Sequence, residues 1–62
     1  MKKRELESQL REAGWRFARH GGKHDAWTNG DLFEFVPRHA EVNELLARKI
    51  IKKAKANPPK EI

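Results

Sequence analysis

The sequence predicts a small α+β domain with the element order α-β-β-β-α, in which two helices pack on one face of a three-stranded antiparallel sheet. Apolar residues recur with a helical period at both ends of the chain and alternate with polar residues in the middle. Gly-Gly and Asn-Gly pairs separate the alternating segments. A chain of 62 residues forms at most one domain with a modest core. We assign the domain to residues 1–57 and expect residues 58–62 to be a disordered tail.

The first helix is predicted from Lys3 to Ala13. Leu6, Leu10 and Ala13 fall at positions i, i+4 and i+7, which places them on one helical face. Gly14 follows directly and is able to adopt the left-handed conformation that ends many helices. The helix therefore presents one apolar face to a core.

The period changes to two after this helix. Residues 15–20 alternate as a strand, and Gly21-Gly22 interrupts them. A second strand is predicted from His24 to Thr28. The two glycines thus indicate a turn between two neighbouring antiparallel strands.

Asn29-Gly30 is a strong hairpin signal, because both residues tolerate the positive φ of a type I′ turn. A two-residue hairpin at this point pairs Thr28 with Asp31. It also predicts a third strand from Leu32 to Val36, ended by Pro37.

This pairing divides the sheet residues between two faces, because directly opposed residues share a face. The side expected beneath the helices carries Trp27, Leu32 and Val36, together with Trp15 and Phe17, and also receives Glu34. The opposite, open face carries His24, Phe33 and Phe35. A register slip of one residue would exchange the two faces.

The last element is a helix from Glu44 to Ala56, with Asn43 as its N-cap. One side of this helix is apolar and most of the other is basic. The apolar side is formed by Leu46, Ala47, Ile50, Ile51 and Ala54. Asn57-Pro58-Pro59 ends the helix, since proline cannot continue it.

The chain is strongly basic, with a formal net charge of +5 and an isoelectric point near 10.0. The segment from Arg48 to Lys60 holds six basic residues and no acidic one. Such a surface attracts polyanions, nucleic acid first and an anionic membrane second, although a merely solvated helix face has the same composition.

Several classes of protein are disfavoured by composition. The chain has no cysteine, which leaves neither a disulfide nor a cysteine zinc site and fits a reducing cytoplasm. No apolar run approaches the roughly 20 residues of a membrane helix. His20 and His24 lack the further ligands of a metal site, so we expect no metal. We also expect no small-molecule cofactor and no membrane partner.

Three stretches carry a family resemblance: the opening "MKKRELESQLREAGW", the turn "GGKH" at 21–24 and "VPRH" at 36–39. With the closing basic helix, they resemble the HicA-type (YcfA-like) toxins of bacterial HicA/HicB toxin–antitoxin systems over nearly the whole chain. The resemblance implies a fold like that of a double-stranded-RNA-binding domain and an enzyme that cleaves mRNA without the ribosome, in the bacterial cytoplasm. It implies a HicB-type antitoxin that covers the active surface.

The resemblance also assigns residues. The histidine just after the glycine turn, on which activity depends in the family, is His24 here. Lys23 stands where other members often have Ser or Asn, which leaves the role of that position open. The antitoxin is expected to contact His24, Phe33 and Phe35.

A metal-free RNA cleavage needs a base for the 2′-OH, an acid for the leaving oxygen and cations around the phosphate. Histidine serves either proton role because it changes protonation near neutral pH. His24 is therefore the single histidine predicted to carry out acid/base catalysis. Residues expected to bind RNA are Lys23, Gly22, Arg38, His39, Lys2 and Lys3.

Other interpretations remain open from the sequence. His24 could instead be a structural residue at the end of a strand, bonded to a neighbouring carbonyl. Gly21 and Gly22 could serve only to form the turn. The domain as a whole has two alternatives, a non-catalytic RNA-binding module of the same fold or an adaptor whose open face meets a protein.

Overall fold

The computed structural model describes residues 1–59 and contains five elements. They are α1 (Lys3–Glu12), β1 (Arg16–Gly21), β2 (His24–Thr28), β3 (Phe33–Pro37) and α2 (Glu44–Ala56). The strands form one antiparallel sheet in the order β1-β2-β3. The predicted α-β-β-β-α domain is thus confirmed. Of the predicted tail, residues 60–62 lie outside the described residues, while Pro59 lies against Gly14.

Both helices pack on the same face of the sheet. One core joins residues of α1, α2, two strands and two connecting segments, each no more than 3% exposed: Leu6, Leu10, Trp15, Trp27, Val36, Val42, Ala47, Ile50 and Ala54. Trp15, directly before β1, donates its indole N–H to the backbone oxygens of Ala54 (3.2 Å) and Asn57 (2.9 Å). The end of α2 is thereby tied to the start of the sheet.

The connection between β2 and β3 differs from the predicted two-residue turn. Thr28 pairs with Phe33, so residues 29–32 form a four-residue loop. Asn29 has a negative φ, and its side-chain oxygen accepts hydrogen bonds from the backbone N–H groups of Asp31 (2.8 Å) and Leu32 (2.7 Å). The type I′ prediction is wrong because Asn29 here closes an Asx turn with its side chain.

The register moves by two residues and not by one, so each strand residue keeps its predicted face. Trp27 and Val36 are fully buried beneath the helices, whereas Phe33 is 47% and Phe35 53% exposed on the open face. The predicted division of the faces is confirmed for these residues. Glu34 also lies on the helix side, where the ammonium of Lys53 is 2.9 Å from its carboxylate.

Three residues predicted on the covered face or on the apolar side of the last helix are exposed. Leu32 belongs to the loop and not to β3, so no helix covers it. Phe17 shares the face of Trp27, but it lies on the edge strand β1, next to a bulge at Ala18, and remains 41% exposed. Leu46, on the apolar side of α2, is also exposed.

Candidate nucleic-acid interface at the β1–β2 turn

The turn between β1 and β2 has two central residues, Gly22 and Lys23, and is flanked by the pair Gly21–His24. Gly22 has a φ of +53°, while Lys23 has a negative φ, as in a type II′ turn with glycine first. A Cβ atom at Gly22 would meet nothing within 4 Å. The backbone of the turn is therefore open to a ligand from outside.

His24 begins β2 and lies between Gly21 on one neighbouring strand and Pro37 on the other. It is exposed, and within residues 1–59 its imidazole forms no hydrogen bond and no ion pair. Since it shares a face with Ala26, Phe33 and Phe35, it lies on the open face, as predicted. Its ring nitrogens are free to exchange protons with a ligand.

A shallow recess beside the turn is lined by four of the predicted residues: Gly22, Lys23, Arg38 and His39. Arg38 donates a hydrogen bond to the backbone oxygen of Gly22 at 3.0 Å, which joins the turn to the segment after β3. Lys23 and His39 are exposed, and Arg38 is about half exposed. The recess thus gathers cationic groups next to an accessible backbone.

The two N-terminal lysines do not line this recess. Lys2 is exposed and forms an ion pair with Glu41 at 3.2 Å. Lys3 is mostly covered, and its ammonium donates to Glu7 and to Asp25, both at 2.8 Å. The hydrogen bond to Asp25, followed by the one to Glu7, raises the pKa of Lys3.

A second histidine site was not predicted from the sequence. Nδ1 of His20 lies 2.8 Å from a carboxylate oxygen of Asp25, on the opposite, helix-covered face of the β1–β2 hairpin. The Asp25 side chain is only 4% exposed. Its hydrogen bond with Lys3 holds its pKa below the ordinary value, with a smaller contribution from His20 and against the effect of burial.

The His20–Asp25 pair could have been predicted from the position of the β1–β2 turn. A two-residue turn that pairs Gly21 with His24 also pairs His20 with Asp25, one step further along both strands. Neighbours in such a pair share a face and are close enough for a hydrogen bond between their side chains.

Two other properties of residues 1–59 concern metal binding and membrane insertion. No group of three or more His, Asp or Glu side chains there has the arrangement of a metal site. Neither helix is long and apolar enough to cross a membrane. A separate groove contains no histidine and is lined by Met1, Gln9, Glu44, Arg48, Ile51, Lys52, Lys55 and Ala56.

Comparison with known proteins gives one finding. Residues 4–56 match the model of a family described as the HicA toxin of bacterial toxin–antitoxin systems. Searches of curated proteins and of solved structures returned no significant match. The family match spans both helices and all three strands, including the turn and its histidine. The chain therefore belongs to the HicA toxin family.

Proposed function

We propose that this chain is the toxin of a type II toxin–antitoxin system and acts as a metal-independent, ribosome-independent endoribonuclease on mRNA in the bacterial cytoplasm. Membership of the toxin family supports the general role. The observation that supports the chemistry is the exposed imidazole of His24 at the end of a strand, beside an open glycine turn and a cationic recess.

RNA carries its own nucleophile, which reduces what the protein must supply. The 2′-OH loses a proton and its oxygen bonds to the adjacent phosphorus, after which the bond from phosphorus to the 5′ oxygen breaks and that oxygen takes up a proton. The products are a 2′,3′-cyclic phosphate and a 5′-hydroxyl. His24 carries out one of these proton transfers, a contribution of roughly 10²–10⁴-fold.

The cationic recess serves the phosphate. Lys23 and Arg38 stabilise the extra negative charge of the five-coordinate phosphorus, and His39 contacts a neighbouring phosphate. Gly22 allows the sugar-phosphate backbone to approach without a side chain in the way. Lys2 is exposed and extends the positive surface, whereas the ammonium of Lys3 is already bonded to Glu7 and Asp25.

The antitoxin acts by covering the open face. Phe33 and Phe35 expose about half of their surface on the same face as His24. Exposed aromatic side chains of this kind are typical of protein interfaces. A partner seated on both rings covers His24 and thereby blocks access of RNA.

The test uses purified protein, a short single-stranded RNA and two histidine variants. His24→Ala is expected to lower the cleavage rate by about 10²–10⁴-fold, because it removes a proton-transfer group. His39→Ala is expected to weaken RNA binding and to leave the rate at saturating RNA close to that of the wild type. Circular dichroism and urea unfolding establish that both variants are folded.

End-group analysis of the cleaved RNA completes the test. Cyclic phosphate and 5′-hydroxyl ends are expected, whereas 5′-phosphate ends would contradict the proposed route. A folded wild-type chain that retains RNA without cleaving it would identify the non-catalytic RNA-binding module instead. Full activity in folded His24→Ala would remove that histidine from the mechanism.

A further inference from the structure

The His20–Asp25 pair has the geometry of a histidine held by a carboxylate. Asp25 has a lowered pKa and is ionised at neutral pH, so its oxygens only accept hydrogen bonds. The contact of 2.8 Å therefore requires His20 to donate from Nδ1. In the neutral ring the unprotonated nitrogen is then Nε2, which is the form that acts as a base.

The surroundings fix this ring but leave it accessible. The Asp25 side chain is 4% exposed, whereas the His20 side chain is 66% exposed. Phe17 contacts the His20 ring edge-on, with ring centres 4.9 Å apart. A buried carboxylate and an aromatic neighbour thus hold an imidazole that is itself largely exposed to solvent.

Asp25 is held in turn by cations from two other parts of the chain. Lys3 of α1 donates to one of its oxygens at 2.8 Å, and Arg38, after β3, lies 3.6 Å from the oxygen that His20 uses. Arg38 also bonds the backbone oxygen of Gly22 at 3.0 Å. The pair is therefore linked directly to the turn and to the recess beside it.

We propose that His20, oriented by Asp25, is the general base of RNA cleavage and that His24 is the general acid. This proposal rests on the ribonuclease function proposed above. Asp25 is a positioning residue, since it acts only through His20. The charged groups that face this pair are Lys3 from α1, with its second partner Glu7, and Arg38 from the segment after β3.

The position of the two histidines suits the geometry of the reaction. They lie one step apart on paired strands and project to opposite faces of the same hairpin end. Attack of the 2′ oxygen and departure of the 5′ oxygen also occur on opposite sides of the phosphorus. An RNA strand that crosses the turn over Gly22 presents its 2′-OH to one histidine and its 5′ oxygen to the other.

The proton balance follows from this assignment. Nε2 of His20 takes the proton of the 2′-OH as the bond from the 2′ oxygen to phosphorus forms. Protonated His24 gives its proton to the 5′ oxygen as the bond from phosphorus to that oxygen breaks. His20 ends as an imidazolium beside the Asp25 carboxylate, and both histidines return to their starting forms by exchange with water.

The experiment is the pH dependence of kcat/KM for a short RNA, measured with wild type, His20→Ala, His24→Ala, Asp25→Asn and Glu7→Gln. Wild type is expected to give a bell-shaped profile. His20→Ala is expected to lose about 10²–10⁴-fold and the fall on the acidic side, whereas His24→Ala loses the fall on the alkaline side. Added imidazole is expected to restore part of the rate of His20→Ala, because that variant lacks only a base.

Glu7→Gln is the matched control for Asp25→Asn, because each variant removes one carboxylate from Lys3, but only Asp25→Asn also removes the negative charge beside His20. Asp25→Asn is expected to lower kcat with KM unchanged, and Glu7→Gln to leave both unchanged. A folded His20→Ala that keeps a bell-shaped profile would overturn the role of His20 while leaving the ribonuclease function intact. A wild-type chain that does not cleave RNA would overturn both.

Discussion

On the covered face of the sheet, Trp27 and Val36 are fully buried beneath the helices, whereas Phe33 and Phe35 on the open face are 47% and 53% exposed. Both faces carry large apolar side chains at alternate positions of the same strands. Only the covered face contributes them to the hydrophobic core. The exposed rings contribute little to folding, so the covered face sets stability, and the open face is the surface that we propose for partner recognition.

Polar residues show the same contrast at the hairpin end. Asp25 faces the helices and is bonded to Lys3 and His20, whereas His24, the next residue towards the turn, faces outwards and has no such partner among residues 1–59. Adjacent residues of one strand thus have opposite roles, because successive side chains point to opposite faces.

The largest expected effect is that of Trp27→Ala compared with Phe35→Ala. Removing the fully buried indole is expected to cost about 3–5 kcal/mol, which is nearly the whole stability of a domain of this size. Phe35→Ala is expected to change the free energy of unfolding by less than about 1 kcal/mol, because its ring is already half in water. Urea unfolding, followed through the fluorescence of Trp15, measures both. Equal losses would contradict the division of the two faces.

The next effect is that of Asp25→Asn. The side chain is buried and accepts hydrogen bonds from Lys3 and His20, so the variant is expected to lose about 1.5–3 kcal/mol at pH 7. Phe33→Asn, an amide placed on the open face, is the control and is expected to cost less.

The loss from Asp25→Asn should depend on pH. The pKa of Asp25 is lowered in the folded chain, so its contribution is present above the ordinary aspartate pKa and is lost as the pH falls through the lower, folded value. The difference between wild type and variant is therefore expected to shrink as the pH falls below the ordinary aspartate pKa of about 4. A difference that stays constant over this range would mean that the carboxylate charge is not what stabilises the fold.

Local sequence patterns were sufficient to predict the fold. The helical period of Leu6 and Leu10, the cap at Asn43 and the alternation of the strands all act over short distances, and each predicted element is present. The β2–β3 loop was predicted wrongly because Asn29 uses its side chain instead of a positive φ, and the sequence alone does not distinguish these two uses.

The candidate site was predictable only in part. The exposure of His24 followed from strand alternation, whereas the recess that brings Arg38 and His39 next to the turn was not predicted. The bond between His20 and Asp25 required the register of β1 against β2, and the bonds of Lys3 and Arg38 to Asp25 required tertiary packing. Contacts between residues of different elements cannot be predicted from the hydrophobic periodicity of a single helix or strand.

A smaller loss of stability is expected from alanine substitutions at Gly14 and Gly22, which both have a positive φ but differ in their surroundings. Gly14 (φ +89°) ends α1, and a Cβ there would lie 2.7 Å from Pro59, whereas Gly22 (φ +53°) faces open space. Gly14→Ala and Gly22→Ala are each expected to cost about 1–2 kcal/mol from the positive φ alone, and Gly14→Ala is expected to lose more because of the contact with Pro59. Unfolding free energies of both variants provide the measurement. If Gly22→Ala were the more destabilising, the turn would not be the open segment described above.

The smallest effect is expected at the margin of the covered face, where Lys53 pairs with Glu34 at 2.9 Å. The lysine side chain is 44% exposed, so Lys53→Met, which keeps the apolar stem and removes the charge, is expected to cost about 0–1 kcal/mol. The loss should shrink in 1 M salt because solvent-exposed charges are screened. Lys52→Met, at the adjacent exposed position, is the control and should have no effect on unfolding. A loss above about 3 kcal/mol for Lys53→Met would show that Glu34 behaves as a buried charge, and the covered face would then extend to the edge of β3.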